Sequence, residues 1–237
     1  MQDRQAALLA RIAAELAAQP DERTTRQRLV ELAQEVIGCG VVALWRLADH
    51  GTVLEAATDR DEAERIARAL KGLQSATGWQ GLRSAGRLVV VDVHTDTRWP
   101  ELSARARAEG LRFRSAVGYA LEIKALEAGT RLIGALLLYD ERPGYFTDEL
   151  TELGGLLATH AAVALDGAHA ADQAENLALA LATNRVISMA MGVLMAQHRI
   201  TADDAFDLLR RTSQHTHRKL HDIAEDVVLT GDLPEPD

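Results

Sequence analysis

Apolar residues recur at helical spacing over the first forty residues of the chain. The segment 3–18 places its large apolar side chains on one face, and Pro20 ends that run. A second amphipathic run follows, with Gly38 as its expected cap. The apolar positions are Leu8, Leu9, Ile12 and Leu16 in the first run and Leu29, Leu32, Val36 and Ile37 in the second. The pattern therefore predicts two consecutive helices.

From residue 41 the apolar runs become short and alternate with turn residues, which is typical of strands. The turn at His50-Gly51 predicts that the first two strands form a hairpin, and a helical pattern over 59–73 follows them. The predicted strands cover 41–47, 52–57, 88–93, 112–123 and 131–139. This order predicts an α+β domain, an antiparallel sheet flanked by helices, which we expect on one face.

Residues 148–197 predict one helix of about 50 residues, with Thr147 as its cap and a break at Gly167 as an alternative. Within this helix, eight residues follow one another in alternating steps of three and four, which is the heptad pattern of a coiled coil. We call this row of residues the seam. The seam consists of Ala170, Ala174, Leu177, Leu181, Asn184, Ser188, Met191 and Met195. The helix either packs on its own domain or, as we favour, forms a parallel homodimeric coiled coil. The dimer contacts would be Ala170, Ala174, Leu177 and Leu181, and Asn184 would fix the register.

Two further helices are predicted after residue 200. Thr201 and Asp204 form a capping box at the start of the first, and Gly231 stops the second, which covers 217–229. Their inward residues are Ala205, Leu208, Leu209 and Thr212, then Leu220, Ile223, Ala224, Val227 and Val228. Neither helix buries its apolar face alone, so both are expected to pack with the end of the long helix in a three-helix bundle.

Composition and charge narrow the function classes. The chain has 237 residues and a formal net charge of −9, which argues against a surface that is basic throughout. The single cysteine, Cys39, excludes an intramolecular disulfide and any metal site built on several cysteines. No uninterrupted apolar run reaches the roughly 18 residues that span a membrane. The polar N-terminus is unlike a signal peptide, so we expect a cytoplasmic protein.

Catalysis finds little support in the sequence. Cys39 has no histidine near it, which favours the role of a small buried apolar side chain. Asp92, His94 and Asp96 suit a metal or an acid–base pair, but equally an ordinary strand end. The segment 77–81 lacks the lysine and the strand–helix context of a phosphate loop. We expect no enzyme, no metal and no cofactor.

A local excess of basic residues lies near the C-terminal end. Between Thr183 and Asp222 there are six Lys and Arg and four Asp and Glu, and six minus four gives +2. Four of the eight histidines fall in the same stretch. Such a surface suits phosphate contacts and polar base contacts, but a solvated helix face explains it as well.

The segments 184–198, 200–214 and 218–228 resemble ANTAR domains, which are three-helix RNA-binding modules of bacterial transcription antiterminators. The resemblance covers essentially residues 180–230. It implies binding to paired hexaloop hairpins in a nascent leader transcript, where occupancy disfavours the overlapping terminator hairpin. Met191 stands where many members have lysine, which removes one phosphate contact.

The segments 91–100, 109–115, 133–139 and 143–147 resemble GAF domains of the kind joined to ANTAR domains in actinobacteria. The resemblance implies a domain with a pocket for a small molecule, whose identity it leaves open. Such domains commonly carry Glu-Gly-Pro-Cys before the central strand, whereas this chain has Gly78-Trp-Gln-Gly81. Any ligand or redox role of that cysteine is therefore absent.

The ANTAR resemblance, with helical geometry, assigns RNA-binding residues on all three predicted helices. They are Asn184, Arg185, Ser188, Met189, Gly192, Arg210, Arg211, Arg218 and Lys219. The alternative for Gly192 is close packing between helices. The predicted domains are an N-terminal helix (1–19), the GAF domain (20–167), a coiled-coil linker (168–183), the ANTAR domain (184–230) and a tail (231–237).

Together these features predict a homodimeric antiterminator that binds RNA. A DNA-binding regulator of the helix-turn-helix type stays open as an alternative. So does a small-molecule-sensing regulator that acts through a protein partner.

Overall fold

A computed structural model describes residues 2–48, 51–70, 79–125 and 129–234. The chain divides into two compact units, Met1–Ala171 and Asp172–Asp237, and each has its own buried core. The boundary lies inside the predicted linker segment 168–183. Each unit is described by itself below.

The chain begins with two helices, α1 (Gln2–Ala17) and α2 (Glu22–Ile37), as predicted. Asp21 caps α2, because its carboxylate accepts a hydrogen bond from the backbone N–H of Thr24 at 2.7 Å. Gly38 ends the helix in the left-handed region, with φ 72°, and donates to the carbonyl of Gln34. A left-handed residue at this position favours glycine, which confirms the predicted cap.

The chain has five strands in its described part, β1 (Val41–Ala48), β2 (Gly51–Ala57), β3 (Arg87–Val90), β4 (Ser115–Ala125) and β5 (Gly129–Asp140). They form one antiparallel sheet in the order β2-β1-β5-β4-β3. The first two pair as the predicted hairpin, whose turn residues 49–50 lie outside the described part of the chain. At Gly134 of β5 a Cβ would lie 2.2 Å from the Trp45 carbonyl oxygen of β1, so only glycine fits at this close approach of the two strands.

The connections between strands carry three helices, α3 (Arg60–Leu70), α4 (Trp79–Ala85) and α5 (Pro100–Ala108). The sequence pattern predicted α3, except that 71–73 lie outside the described residues, and it missed α4 and α5 because both are short. Strand β3 is also shorter than the predicted 88–93. The chain turns after Val90, where Asp92 accepts a hydrogen bond from the backbone N–H of His94 at 3.0 Å.

Helices cover both faces of the sheet, so the expectation of helices on one face is wrong. One face packs against α1, α2 and the long helix α6 (Asp148–His198), and the other against α3 and α5. The reason is that β1 and β5 are apolar on both sides, and such strands need cover on both faces. The two cores include Ile12, Leu29, Leu44, Leu138 and Leu157 on the first face and Ala43, Ile66, Leu102, Phe113 and Tyr139 on the second.

The long helix α6 (Asp148–His198) has 51 residues and continues through Gly167 without the alternative break. Gly154 has a packing role, because a Cβ there would lie 2.4 Å from the Tyr119 hydroxyl. That hydroxyl donates to the carbonyl of Thr151 at 2.8 Å. This glycine therefore allows the start of α6 to lie close against β4.

By length and composition alone, α6 could cross a membrane, and it is the one such helix in the described part of the chain. The sequence has no uninterrupted apolar run of about 18 residues, as stated above, and α6 meets this broader criterion because its isolated polar residues lower the average hydropathy only a little. Core helices of soluble proteins pass the same test. Parts of α6 serve as core, with Leu157 and Ala161 buried in the first unit and Ala190 and Leu194 in the second.

The second unit joins the end of α6 to α7 (Ala202–Thr216) and α8 (Leu220–Thr230). The predicted capping box is confirmed, since the Thr201 hydroxyl accepts from the backbone N–H of Asp204 at 3.2 Å and donates to its carboxylate. Gly231 ends α8 with φ 87°, as predicted. The fully buried core consists of Ala190, Leu194, Ala205, Leu209, Ile223, Ala224 and Val227.

Candidate nucleic-acid interface

The part of α6 in the second unit has one buried face and one exposed face. Ala190 and Leu194 are fully buried against α7 and α8, and Ile187 packs at their side. Because helical positions three and four residues apart share a face, the residues between these point the other way. The five candidates on α6 are all exposed: Asn184, Arg185, Ser188, Met189 and Gly192.

Gly192 has no packing role among the described residues. A Cβ at this position would meet no atom within 4 Å. Close contact between helices inside the chain therefore does not explain this glycine, although glycine in mid-helix costs about 1 kcal/mol relative to alanine. The open surface at Gly192 lets a ligand approach the helix backbone.

The candidate cations on α6, on α7 and in the turn before α8 are exposed, but they differ in their partners. Arg185, Arg211 and Lys219 make no ion pair with the described residues. Arg210 lies 2.9 Å from Asp207, and Arg218 lies 2.7 Å from Asp226. The first three are therefore the cations best placed to take a phosphate without losing an existing contact.

Arg218 is held at the turn between α7 and α8. Its hydrogen bond with Asp226 raises the pKa of the guanidinium. Its carbonyl accepts a hydrogen bond from the Ser213 hydroxyl at 2.6 Å. Lys219 follows directly as the residue that precedes the first turn of α8. This arrangement fixes the backbone next to Lys219, whose side chain stays in solvent.

Sequence reasoning missed Phe206. It lies on α7 next to the buried Ala205, yet its side chain is 39% exposed. Arg210 follows one helical turn later on the same side of the helix. An aromatic residue outside the apolar stripe of an amphipathic helix is the signal that would have found it. Exposed aromatic rings stack on unpaired bases.

The predicted dimer contacts Ala170, Ala174, Leu177 and Leu181 are all exposed, and the two leucines are each 62% exposed. Every residue from 173 to 182 is exposed, so this part of α6 does not pack on the rest of the described chain. Leu156 and Val163 are also exposed and continue the seven-residue spacing of Ala170 and Leu177 toward the N-terminus. The sequence argument had not included them.

The predicted seam does not extend to Met191. Its side chain is half-buried and packs against the core of the second unit. The reason is that a straight helix drifts relative to a seven-residue repeat, so a seam that starts on the exposed face turns toward the bundle. In the second unit the seam is therefore continuously exposed from Ala174 to Ser188. Met195 is also exposed, but the half-buried Met191 separates it from the rest of the seam.

Three of the residues considered for catalysis are buried or paired with an arginine: Cys39, Asp92 and Asp96. Cys39 is buried, and burial raises the pKa of its thiol to about 12, so the nucleophilic thiolate is disfavoured. Arg114 holds the Asp92 carboxylate at 2.9 and 2.6 Å and lowers its pKa to about 2. Burial lowers the pKa of His94, and Asp96 is paired with Arg98. The described residues contain no cluster of three metal-ligating side chains.

Two family models match the chain. The GAF domain model matches residues 21–165, and the ANTAR domain model matches residues 175–228. A comparison with curated proteins gives no match.

Solved structures share the fold at low sequence identity. A GAF domain from an Acinetobacter phosphoenolpyruvate-protein phosphotransferase has a TM-score of 0.53 at 14% identity, over 73% of this chain and 99% of that one. The GAF domain of a phosphoenolpyruvate-protein phosphotransferase from Coxiella burnetii has a TM-score of 0.52 at 20% identity, over 71% of this chain and 96% of that one. The bacteriophytochrome RpBphP3 of R. palustris has a TM-score of 0.56 at 12% identity, over 87% of this chain and 46% of that chain. These similarities concern the fold alone.

Proposed function

We propose that this chain, which belongs to the GAF domain family and carries an ANTAR domain at its C-terminal end, is a transcription antiterminator that binds paired hexaloop hairpins in nascent leader transcripts. ANTAR domains are RNA-binding antiterminator modules, and GAF domains are sensor domains. The observation that carries the proposal is the exposed face of α6, where Arg185 makes no ion pair with the described residues and a Cβ at Gly192 would meet none of their atoms within 4 Å. A protein that acts on nascent transcripts works in the cytoplasm, and we expect no catalytic activity.

The exposed residues divide into two kinds of contact. Arg185, Arg211 and Lys219 supply positive charge for the phosphates, which gives affinity that depends on salt. Ser188 and Gly192 allow bases of the hairpin loop to approach α6, and Phe206 offers a ring for stacking. Loop bases are unpaired, so they carry the sequence information that a protein recognises in RNA.

A homodimer is part of the proposal. The exposed leucines Leu177 and Leu181 are the residues that a parallel partner helix would cover. Two linked RNA-binding units bind two hairpins with greater avidity than one unit binds one hairpin. Asn184 and Ser188 belong both to the seam and to the RNA-binding face. The α6 helices of the two protomers must therefore separate on the C-terminal side of Leu181 so that RNA can reach these two residues.

The test compares three probes by mobility shift at one stated salt concentration. They are an RNA with two hexaloop hairpins, the same RNA with one hairpin deleted, and duplex DNA of equal length. We expect the order of affinity to be two hairpins, one hairpin, then DNA. Preference for duplex DNA would support a DNA-binding regulator, and no RNA affinity at all would support a sensor that acts through a protein partner. Either result would reject the proposal.

A further inference from the structure

The first unit contains an open cleft on the side of the sheet that packs against α2 and α6. Its volume is about 450 Å³, within the range of small-molecule sites, roughly 300–1,000 Å³. The apolar lining includes the half-buried Leu132 and Ile133 of β5, beside three leucines that are almost fully buried, Leu44 of β1, Leu121 of β4 and Leu165 of α6. The cleft therefore combines the size and the apolar surface that a ligand with a small hydrophobic body requires.

The remaining lining of the cleft is charged. Arg26 contacts Glu22 and lies 3.0 Å from Glu55, and Arg46 lies 2.5 Å from the other oxygen of Glu55. Arg131 lies 2.5 Å from Asp166 of α6. His169 of α6 lies 3.2 Å from the second oxygen of Glu22.

These ion pairs leave spare hydrogen-bond donors on two of the arginines. Both oxygens of Glu55 are engaged by arginines. In contrast, Arg46 and Arg131 each make a single ion pair with the described residues, through one nitrogen. A guanidinium has five N–H donors, so most donors of these two side chains are unused. An anionic group is the natural partner for them.

We infer that this cleft binds a small organic carboxylate, with its apolar body on the leucines and its head group on Arg46 and Arg131. The inference does not depend on RNA binding. Such a ligand would compete with Asp166 for Arg131 and would lie against Leu165, and both residues belong to α6. A signal bound here therefore acts directly on the first-unit part of the helix whose sequence continues into the ANTAR domain.

The probe is octanoate, added to the full chain and followed by titration calorimetry and thermal unfolding. Octylammonium and octanol have the same apolar body with a cationic and a neutral head. We expect saturable 1:1 binding of octanoate, a higher midpoint of thermal unfolding, and at least tenfold weaker binding of both controls.

Two variants test the site itself. Arg46→Gln and Arg131→Gln are each expected to weaken octanoate binding, and their combination by at least tenfold. The matched control is Arg60→Gln, which removes an exposed ion pair with Glu64 on α3, away from the cleft. Exposed ion pairs contribute little to stability, so all variants should fold, and circular dichroism checks this.

Three results would overturn the inference: no saturable binding of octanoate by the parent protein, equal binding of octylammonium, or unchanged binding by both single variants and their combination. Hairpin binding is measured on the same samples without ligand. If the protein binds the hairpins but not octanoate, the carboxylate site is refuted and the proposed function stands. If it binds octanoate but not the hairpins, the proposed function is refuted and the carboxylate site stands.

Discussion

The two units of this chain use their arginines in different ways. In the first unit many arginines are paired with nearby carboxylates. Arg28 bonds Glu15 and Glu35 at 2.6 and 2.9 Å, and Arg114 bonds Asp92 through two nitrogens. In the second unit Arg185 and Arg211 face solvent without a carboxylate among the described residues. The comparison teaches that many arginines of the first unit serve the fold, whereas Arg185 and Arg211 of the second unit are available to a polyanion.

The largest expected effect comes from the dimer contacts of α6. Leu177→Asp combined with Leu181→Asp should convert the dimer to monomers, because two charges would be buried in the seam. Affinity for the two-hairpin RNA should then fall on the order of 100-fold through lost avidity, with one-hairpin affinity kept. Light scattering and mobility shift measure both quantities.

Leu179→Asp is the matched control for this pair. Leu179 is 66% exposed, like its neighbours, but it lies off the seam. It should leave both the dimer and the RNA affinity unchanged. A monomeric parent protein, or the same loss in the control, would contradict the proposed interface.

Phe206→Ala tests whether the aromatic ring stacks on a loop base. Stacking contributes about 1–3 kcal/mol per base, so hairpin affinity should fall about tenfold. Phe206→Tyr keeps the ring and should restore binding. If alanine and tyrosine bind equally well, Phe206 has no stacking role.

Arg185→Ala and Arg114→Ala compare the two uses of arginine directly. Arg185→Ala should weaken RNA binding several-fold at about 0.1 M salt and lower the slope of log affinity against log salt by about one. Arg114→Ala should lower the midpoint of thermal unfolding, because Asp92 loses its partner, and leave RNA binding unchanged. Unchanged RNA binding by Arg185→Ala, or weakened RNA binding by Arg114→Ala, would contradict the distinction between the two units.

Gly192→Ala separates stability from binding. Alanine is the better helix former by about 1 kcal/mol, and a Cβ here meets nothing, so the second unit should become more stable. RNA binding should nevertheless weaken a few-fold, because the added methyl group covers the open helix surface. Gly167→Ala on the same helix also has open space and should leave RNA binding unchanged. Equal RNA affinities of the two variants would remove Gly192 from the interface.

The smallest expected effect is the pH dependence of the Asp92–Arg114 pair. Arg114 lowers the pKa of Asp92 from its ordinary value of 3.8 to about 2. The ionised carboxylate therefore stabilises the folded state above pH 3.8, and this contribution is lost as the pH falls toward 2. In urea unfolding, Asp92→Asn should be less stable than the parent at pH 6, and the difference should shrink in acid. A difference that is constant with pH would contradict this account.

Sequence patterns predicted the long elements well and the short ones poorly. The periodicity of residues 148–197 predicted a continuous helix close to α6, and Thr201 with Asp204 marked the start of α7. Helices α4 and α5 escaped prediction because 7 and 9 residues are too few to establish a helical period. Met191 was assigned to the wrong face because a heptad count ignores the drift of a straight helix.

The candidate interface was partly accessible from sequence. The exposed face with Arg185 and Gly192 follows from helical spacing once Ala190 and Leu194 are recognised as core. Phe206 was not found, since whether an aromatic residue beside a core position is buried depends on the neighbouring helices. The charged cleft was not found either, because Arg46, Arg131 and Asp166 lie far apart in the sequence.

The sequence by itself determined the two families, the long helix and the caps of its neighbours, because these depend on local spacing and on residues close in the chain. Only the tertiary structure decided which arginines are neutralised and which are free, since ion pairs such as Arg114 with Asp92 and Arg131 with Asp166 join residues 22 and 35 positions apart. A local pattern fixes the direction of a side chain on its own helix or strand. The partner that it meets is fixed by the packing of distant elements.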